Sequence, residues 1–430
     1  MWRSISSSVS SLLVFWLGLP VVSSYEQPPV EPGFSALFDG KDLTKHFVVK
    51  GNPASWKVLD GIIVASAGGD RLMSRESYGD FVLRLEWKIS REGNSGVSIC
   101  VPSQDDGAPW ETGYEVQISN AHRDDSHSTG SLYGVAPVNP RPNEDADVWH
   151  RYEITCIGNR IRVKVDGVEC VDADRATNSN MRRRKHAGFI GLQDYHAGNN
   201  GTIEYRNLRI ARLNSDGTLP GFTDLRDPQG WQKIKTGHGT GGDWRFEEAW
   251  IGRQDPVGSG NGGVNATRAT FGDFELVVEA KPYWGCDSGI FLRSTPEGKC
   301  YQILVDYYGS GNVGGIYGEG TGGFNARSYN FNGDGTISAA GGKDVLPLPF
   351  RPEDWGAYWN KEGYNDIRAR IRGNPPVIDV WLNGAHLTHF EDKEERIPLR
   401  GHLGLQVHGG KSWPAEGAVR YRNIQVREIE

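Results

Sequence analysis

Two short segments hold the residues best suited to proton-transfer chemistry. In YEVQIS (114–119) an acid and an amide stand two apart, and in GLQDYH (191–196) an amide, an acid and an imidazole follow one another. Successive side chains on a strand point to opposite faces, so Glu115 and Gln117 share one face and Tyr114, Val116 and Ile118 take the other. By the same rule Val97, Ile99 and Val101 of NSGVSICV (94–101) face a core, and Ser98 and Cys100 lie opposite, with Phe291 and Arg293 as their counterparts later in the chain. Gln193 and Tyr195 alternate with Ile190, Leu192 and Asp194, and His196 falls just past the strand end. If the sheet is concave, Glu115, Gln117, Gln193 and His196 line one groove, with Asn94 and Asp194 beside it as substrate-binding groups. Such a set can move protons and bind hydroxyls. Trp110 and Tyr133 flank the groove strands, and flat aromatic faces beside amides and acids suit a sugar.

Strands must position these groups. FVLRLEWKI (81–89), RIRVKV (160–165) and TIEYRNLRI (202–210) alternate apolar and polar residues, with Gly158-Asn159, Asp166-Gly167 and Asn383-Gly384 as hairpin punctuation. Long helical periodicity is nearly absent. The chain also repeats itself: GFSALFDG (33–40) matches GFTDLRDP (221–228), YGDFVLRLEWK (78–88) matches FGDFELVVEAK (271–281), and NSGVSICV matches DSGIFLRS (287–294). Further on, YEVQIS matches YQILVD (301–306), Trp149 corresponds to Tyr364, GFIGLQ (188–193) to GHLGLQ (401–406), and YRNLRI (205–210) to YRNIQV (421–426). The spacing predicts an all-β chain of two tandem jelly-roll sandwiches, at 25–213 and 221–430, joined by a linker at 214–220. A Gly-rich insertion at about 319–363 in the second copy reads either as a plain surface loop or as a lid.

Composition narrows the function further. Of 430 residues 57 are Gly, and 47 Lys and Arg stand against 54 Asp and Glu, a net charge of −7 with no cationic field for nucleic acid. The apolar run 12–22 after Arg3, with Val22 and Ser24 preceding Tyr25, reads as a secretory signal peptide over residues 1–24, which predicts a secreted or periplasmic protein. No later stretch is long and apolar enough to span a membrane. Among five Cys, a Cys286–Cys300 bridge is geometrically conceivable, while Cys100, Cys156 and Cys170 read as buried apolar groups. The run Arg182 to Lys185 reads as a solvated loop.

The ordered blocks GFxxLFDGKDL, WKVLDGII, YGDFVLRLEWKI, GNSGVSI, GYEVQI, TGSLYG, VWHRYEI, GLQD and EYRNLRI resemble the 3-keto-disaccharide hydrolase domain family, over residues 33–213 and more loosely over 221–429. The resemblance implies concanavalin-like jelly rolls, bacterial export and action on glycosides oxidised at C3. A C3 ketone acidifies the C2 proton, so one base can form an enolate, the C1 substituent can leave, and water can add to the glycal. Glu115 or His196 is the expected base, with Gln117, Gln193 and Tyr133 positioning or donating. Ordinary glycoside hydrolysis would instead need two carboxylates at a set separation, and the E-x-D-x-x-E strand signature is missing.

The copies depart from the family pattern differently: the first has Cys100 where the family often has Arg, and the second keeps Arg293 but carries Gln302 in place of the acid. The first is therefore expected to be catalytic, and the second to bind sugar, through Arg293 and His408, or to wall the site. These residues point to no certain cofactor, although His122, Asp124 and His127 could hold a divalent metal. A glycoside or oligosaccharide is the expected partner. A non-catalytic protein with two sugar-binding sandwiches is the alternative.

Overall fold

The computed structural model describes residues 25–430 except 69, 123, 198, 199, 342, 343, 411 and 412, so the leader expected at 1–24 lies outside the described residues. Each copy is a two-sheet antiparallel sandwich. In the first, an outer sheet runs in the order 168–174, 160–165, 150–157, 81–89, 202–212, 62–66, 56–59, with a short strand at 35–36 beside 202–212. The second sheet contains β1 (Phe47–Lys50), β2 (Arg71–Tyr78), β3 (Asn94–Val101), β4 (Tyr114–Ser119) and β5 (Gly188–Gln193), in the order β1-β2-β5-β3-β4. Phe81, Leu83, Leu85, Trp87 and Ile89 alternate inward to meet Val97, Ile99, Val116 and Ile118. Among the described residues no helix is long and apolar enough to cross a membrane.

Duplication extends to buried polar detail. The Ser95 hydroxyl meets Tyr205 at 2.8 Å and donates to the Gln193 carbonyl, and Ser288 meets Tyr421 at 2.7 Å and donates to that of Gln406. Arg206 and Asn207 donate to Glu86 as Arg422 and Asn423 do to Glu279, and the two arginines lie 3.9 Å over the rings of Trp149 and Tyr364.

The halves meet through the outward faces of their outer sheets. Arg84 donates to Asp366 across the contact at 2.7 Å, Arg209 to the Gly384 carbonyl at 2.7 Å, and Arg151 to that of Ala357 at 2.9 Å. The segment 214–220 is packed: Leu219 is buried beside Ala211 and Val277, and its N–H donates to Gln425. The insertion is neither a bare surface loop nor a lid over the first copy's groove. Tyr329, Phe331, Trp355 and Trp359 join the second core, while Tyr358 stacks on Phe350 and lies 4.1 Å beneath Arg151 of the first copy. Its aromatic residues made it a packing element, and its high glycine content concealed this.

All five cysteines are free and buried. Cys286 belongs to the core between the second copy's sheets, whereas Cys300 sits with Phe291 in a separate apolar patch, so the bridge that the sequence made conceivable does not form.

Candidate active site

The outward face of the first copy's β1–β5 sheet carries the residues expected to line a groove. Ser98 on β3 pairs with Glu115 on β4, and Gly96 with Gln117. On the other flank Gly191 of β5 pairs with Ser98 and with Met73 of β2, and Gln193 pairs with Arg71. Beyond β4 the chain returns at 130–133. Val116 bridges Leu132, the Tyr133 N–H donates to the Glu115 carbonyl at 2.9 Å and the Gln117 N–H to that of Ser131 at 3.0 Å, so Tyr133 stands opposite Glu115 and Ser131 opposite Gln117.

Two glycines on this face make room for neighbouring side chains. A Cβ on Gly96 would lie 2.7 Å from Glu115 Cγ and 2.9 Å from its Oε1, so the acid folds over space that only glycine vacates. A Cβ on Gly191 would meet Met73 Sδ at 2.9 Å. The Gln117 amide lies between the acid and Asn94. With its nitrogen toward the acid it donates to Glu115 Oε1 at 2.9 Å and to the Ser95 carbonyl at 3.1 Å, and its oxygen faces Asn94 at 3.0 Å. Beneath this face the Tyr205 hydroxyl donates to the Gln193 carbonyl at 3.0 Å, and Tyr152 donates to that of Gln117, which pins both strands from the core. The Gln193 Oε1 and Ser131 Oγ atoms are buried and have no hydrogen-bond partner among the described residues.

Glu115 is only 6% exposed, and burial pushes its carboxyl up from 4.5 to about 7 against the opposing pull of His196 and Arg71. His196 is half exposed, with Nδ1 2.5 Å from Asp194 Oδ1. That contact holds its imidazole above the usual 6.5, in spite of partial burial. Asp194 is fully buried, and its other oxygen accepts the Asp70 N–H at 3.0 Å. The pair is thus one polarised imidazole on a fixed carboxylate, within electrostatic reach of one buried acid.

Several residues fall elsewhere than the strand period predicts. Strand β5 ends at Gln193, so alternation stops there: Tyr195 enters the core, and Asp194 turns to orient His196 rather than to bind substrate directly. Cys100 leaves the groove face because its φ of 56° forms a bulge that turns it into the core. Arg293 repeats this at φ 52°: it is buried, and its guanidinium is spent on the Gly272 and Gly373 carbonyls and on Asp273. It is a structural residue and does not reach a ligand. Trp110 is half-buried in the turn 109–112 that leads into β4. That turn is held by Arg184, which donates to the Trp110 and Gly113 carbonyls, so one member of the basic run is structural rather than solvated. The only signal for it was position in a run of four cations. Arg71 and Ser131 were also missed, although period-two spacing in RLMSRESY places Arg71 on the Gln193 face.

His122, Asp124 and His127 do not close on one point. Asp124 contacts His127 at 2.7 Å, the His122 ring lies 5.8 Å from that of His127, and among the described residues no third ligand joins them.

The second copy's equivalent face differs. Phe291 packs there with Val264, Ala266 and Cys300, and Gln302 stands where the first copy has its acid. His408 lies 3.8 Å from Asp287 and with its ring 4.6 Å from that of His238, whose Nε2 accepts from Gln406 at 2.9 Å. Since the copies meet through their outer sheets, this face lies away from the Glu115 face and does not wall it.

The chain is similar to several known proteins. A curated 3-keto-disaccharide hydrolase from Bacteroides thetaiotaomicron is 24% identical over 246 residues, which cover 45% of this chain and 82% of that protein. A crystal structure from Parabacteroides distasonis, provisionally described as a glycosyl hydrolase, is 22% identical with a TM-score of 0.38, covering 42% of this chain and 99% of that one. Another from the same organism, described in the same way, is 23% identical with a TM-score of 0.34, covering 47% and 100%. Residues 33–211 and 221–427 each match the 3-keto-alpha-glucoside-1,2-lyase-like domain, and with nearly the whole described chain so matched, the protein belongs to that family.

Proposed function

We propose that the first copy is the catalytic unit of an enzyme that cleaves 3-keto-glycosides by removing the C2 proton, expelling the C1 substituent and then admitting water to the glycal. The observation that carries this is one buried carboxyl, raised to about 7, among polar side chains of one sheet face and within electrostatic reach of one imidazole. Two carboxylates astride a bond would suit ordinary hydrolysis, whereas one base and one donor suit elimination. Glu115 in its ionised form takes the C2 proton, and the electron pair passes to the C3 oxygen as an enolate. His196, whose hold on its proton Asp194 strengthens, supplies the proton to the departing C1 oxygen. Gln193 and Tyr133, both partly exposed, hold hydroxyls and the enolate oxygen, and the Gln117 amide positions the Glu115 carboxyl. The leader expected at 1–24 supports a reaction outside the cytoplasm.

The direct test is incubation with a 3-keto-disaccharide while aglycone release and the transient glycal are followed. Sugar binding without turnover would overturn the catalytic reading and favour a binding protein. Asp194 is a positioning residue, and its test is the pH profile. In D194N the alkaline limb should move to lower pH, because the imidazole loses the carboxylate that raises it, while the acid limb stays near 7. An unmoved alkaline limb would assign the donor role to another group.

Gly96→Ala should act through Glu115. Gly96 has no positive φ, so alanine is conformationally acceptable, but its Cβ occupies the space of the carboxyl. Displacement by about 1 Å is expected to lower kcat by on the order of 100-fold with little change in melting temperature.

A further inference from the structure

The edge of the second copy's outer sheet is a hairpin of β6 (Val377–Leu382) and β7 (Ala385–Glu391). It carries a cluster that the Glu115 chemistry does not use. His386 and His389 are three residues apart, a spacing that puts side chains on opposite faces of a regular strand. Here the register shifts: Val380 stands opposite Thr388, but Trp381 stands opposite His386, so Leu387 is an extra residue. Such a bulge re-aims side chains. Leu387 and Thr388 are both buried, the Thr388 hydroxyl donating to the Gly314 carbonyl at 2.8 Å, and the two histidines come to the face of Asp379.

As a result Asp379 Oδ1 lies 2.9 Å from His386 Nε2 and 2.8 Å from His389 Nδ1, with all three ligand atoms within 4.8 Å of one another. Ligands bonded at about 2.0–2.2 Å to one ion are themselves separated by about 3 Å, which the two Asp379–histidine spacings match. Asp379 is buried, with its second oxygen 3.9 Å from Arg372, while His389 is half exposed and leaves the remaining positions to water. The outer nitrogen of His389 lies 3.4 Å from Glu391, the carboxylate-behind-imidazole arrangement that orients ligating histidines.

We propose that Asp379, His386 and His389 bind one divalent first-row transition-metal ion, of which zinc is the probe, and that the ion fastens this hairpin. The fastening matters because the hairpin turn holds the first copy: the Asn383 carbonyl accepts from Arg151 and that of Gly384 from Arg209, while the Trp381 indole donates to the Pro29 carbonyl at 3.0 Å. The site lies on the outer sheet, remote from Glu115, so its role is structural.

The test is calorimetric titration of the chelator-treated full chain with zinc chloride, alongside H386A/H389A and D379N. The wild type should take up one ion per chain with a rise in melting temperature, and the double variant should bind more than about 100-fold more weakly. Because the Trp381 ring lies 4.9 Å from that of His386, cobalt(II) should quench a component of the indole fluorescence that W381F lacks. Equal zinc uptake by the wild type and the double variant, or none by the wild type, would overturn the proposal. Should the double variant fail to fold, D379N, which is nearly isosteric, carries the same comparison.

Discussion

Glu115→Gln should abolish turnover of a 3-keto-glycoside by about 100- to 10,000-fold while stabilising the fold at neutral and alkaline pH. Both effects have one cause. The carboxyl titrates at about 7 in the folded chain against an ordinary value of 4.5, because burial disfavours its charged form. Below pH 4.5 the acid is neutral in both states and carries no penalty. As pH rises from 4.5 to about 7 the unfolded chain ionises first, so stability falls, levelling off about 3 kcal/mol lower once the folded group has ionised too. Gln does not ionise, so E115Q should unfold at higher urea than wild type at pH 8 and at a similar concentration at pH 4. Wild-type kcat should rise through pH 7 and fall again as His196 loses its proton, and any residual E115Q activity should lack the rising limb. A wild-type rate retained by E115Q, with an unchanged limb, would remove Glu115 from the mechanism.

The face shared by Glu115 and Gln117 could be read from sequence because a strand has a fixed period of two, and nothing interrupts YEVQIS. The duplicated fold was legible for a related reason: the repeated blocks are the strands themselves. What escaped was wherever the backbone left that period. Cys100 and Arg293 occupy matching left-handed bulges, and one non-glycine residue with positive φ reverses the direction of its side chain. At Asp194 the strand had already ended, so an acid expected to bind substrate beside the groove instead became the partner of His196. Arg184 and the insertion escaped for a different reason. Their roles are contacts made far along the chain, with Trp110 and Gly113 in one case and Arg151 in the other, and local composition carries no record of them.

The copies have diverged on this sheet face and stayed alike beneath it. The paired Ser–Tyr contacts under the two faces are the same, yet Phe291 fills the place of Ser98 and Gln302 that of Glu115. A buried ionisable acid lowers stability, so a copy not needed for proton transfer loses little by replacing it with an amide and packing the face. This supports assigning the reaction to the first copy on energetic as well as geometric grounds.

Glu31→Ala should cost about 3–5 kcal/mol and uncouple the halves, the largest stability effect expected of a single substitution here. Glu31 is 1% exposed and accepts from Arg84 at 2.9 Å and from Arg209 at 2.6 Å. Arg84 also reaches Asp366 across the contact, and Arg84 and Arg368 face the Phe34 ring at 4.8 and 4.7 Å. Burial alone would raise the Glu31 carboxyl, but Arg209, Arg84 and Arg368 hold it below its usual value. The stability it supplies is therefore present above the ordinary carboxylate range and is lost as pH falls through its lowered value, so wild type and E31Q should converge in strong acid. Removing the acid leaves Arg209 buried with only carbonyl partners, at Asn207 and Gly384, where water cannot compensate its charge. Arg160→Ala is the control, because its exposed pair with Asp172 should contribute less than about 1 kcal/mol. Urea unfolding followed by tryptophan fluorescence reads both substitutions. E31A should lower the midpoint and split one transition into two, whereas an E31A curve that overlays R160A would show that the halves are held by their apolar and backbone contacts, with the buried charges contributing little.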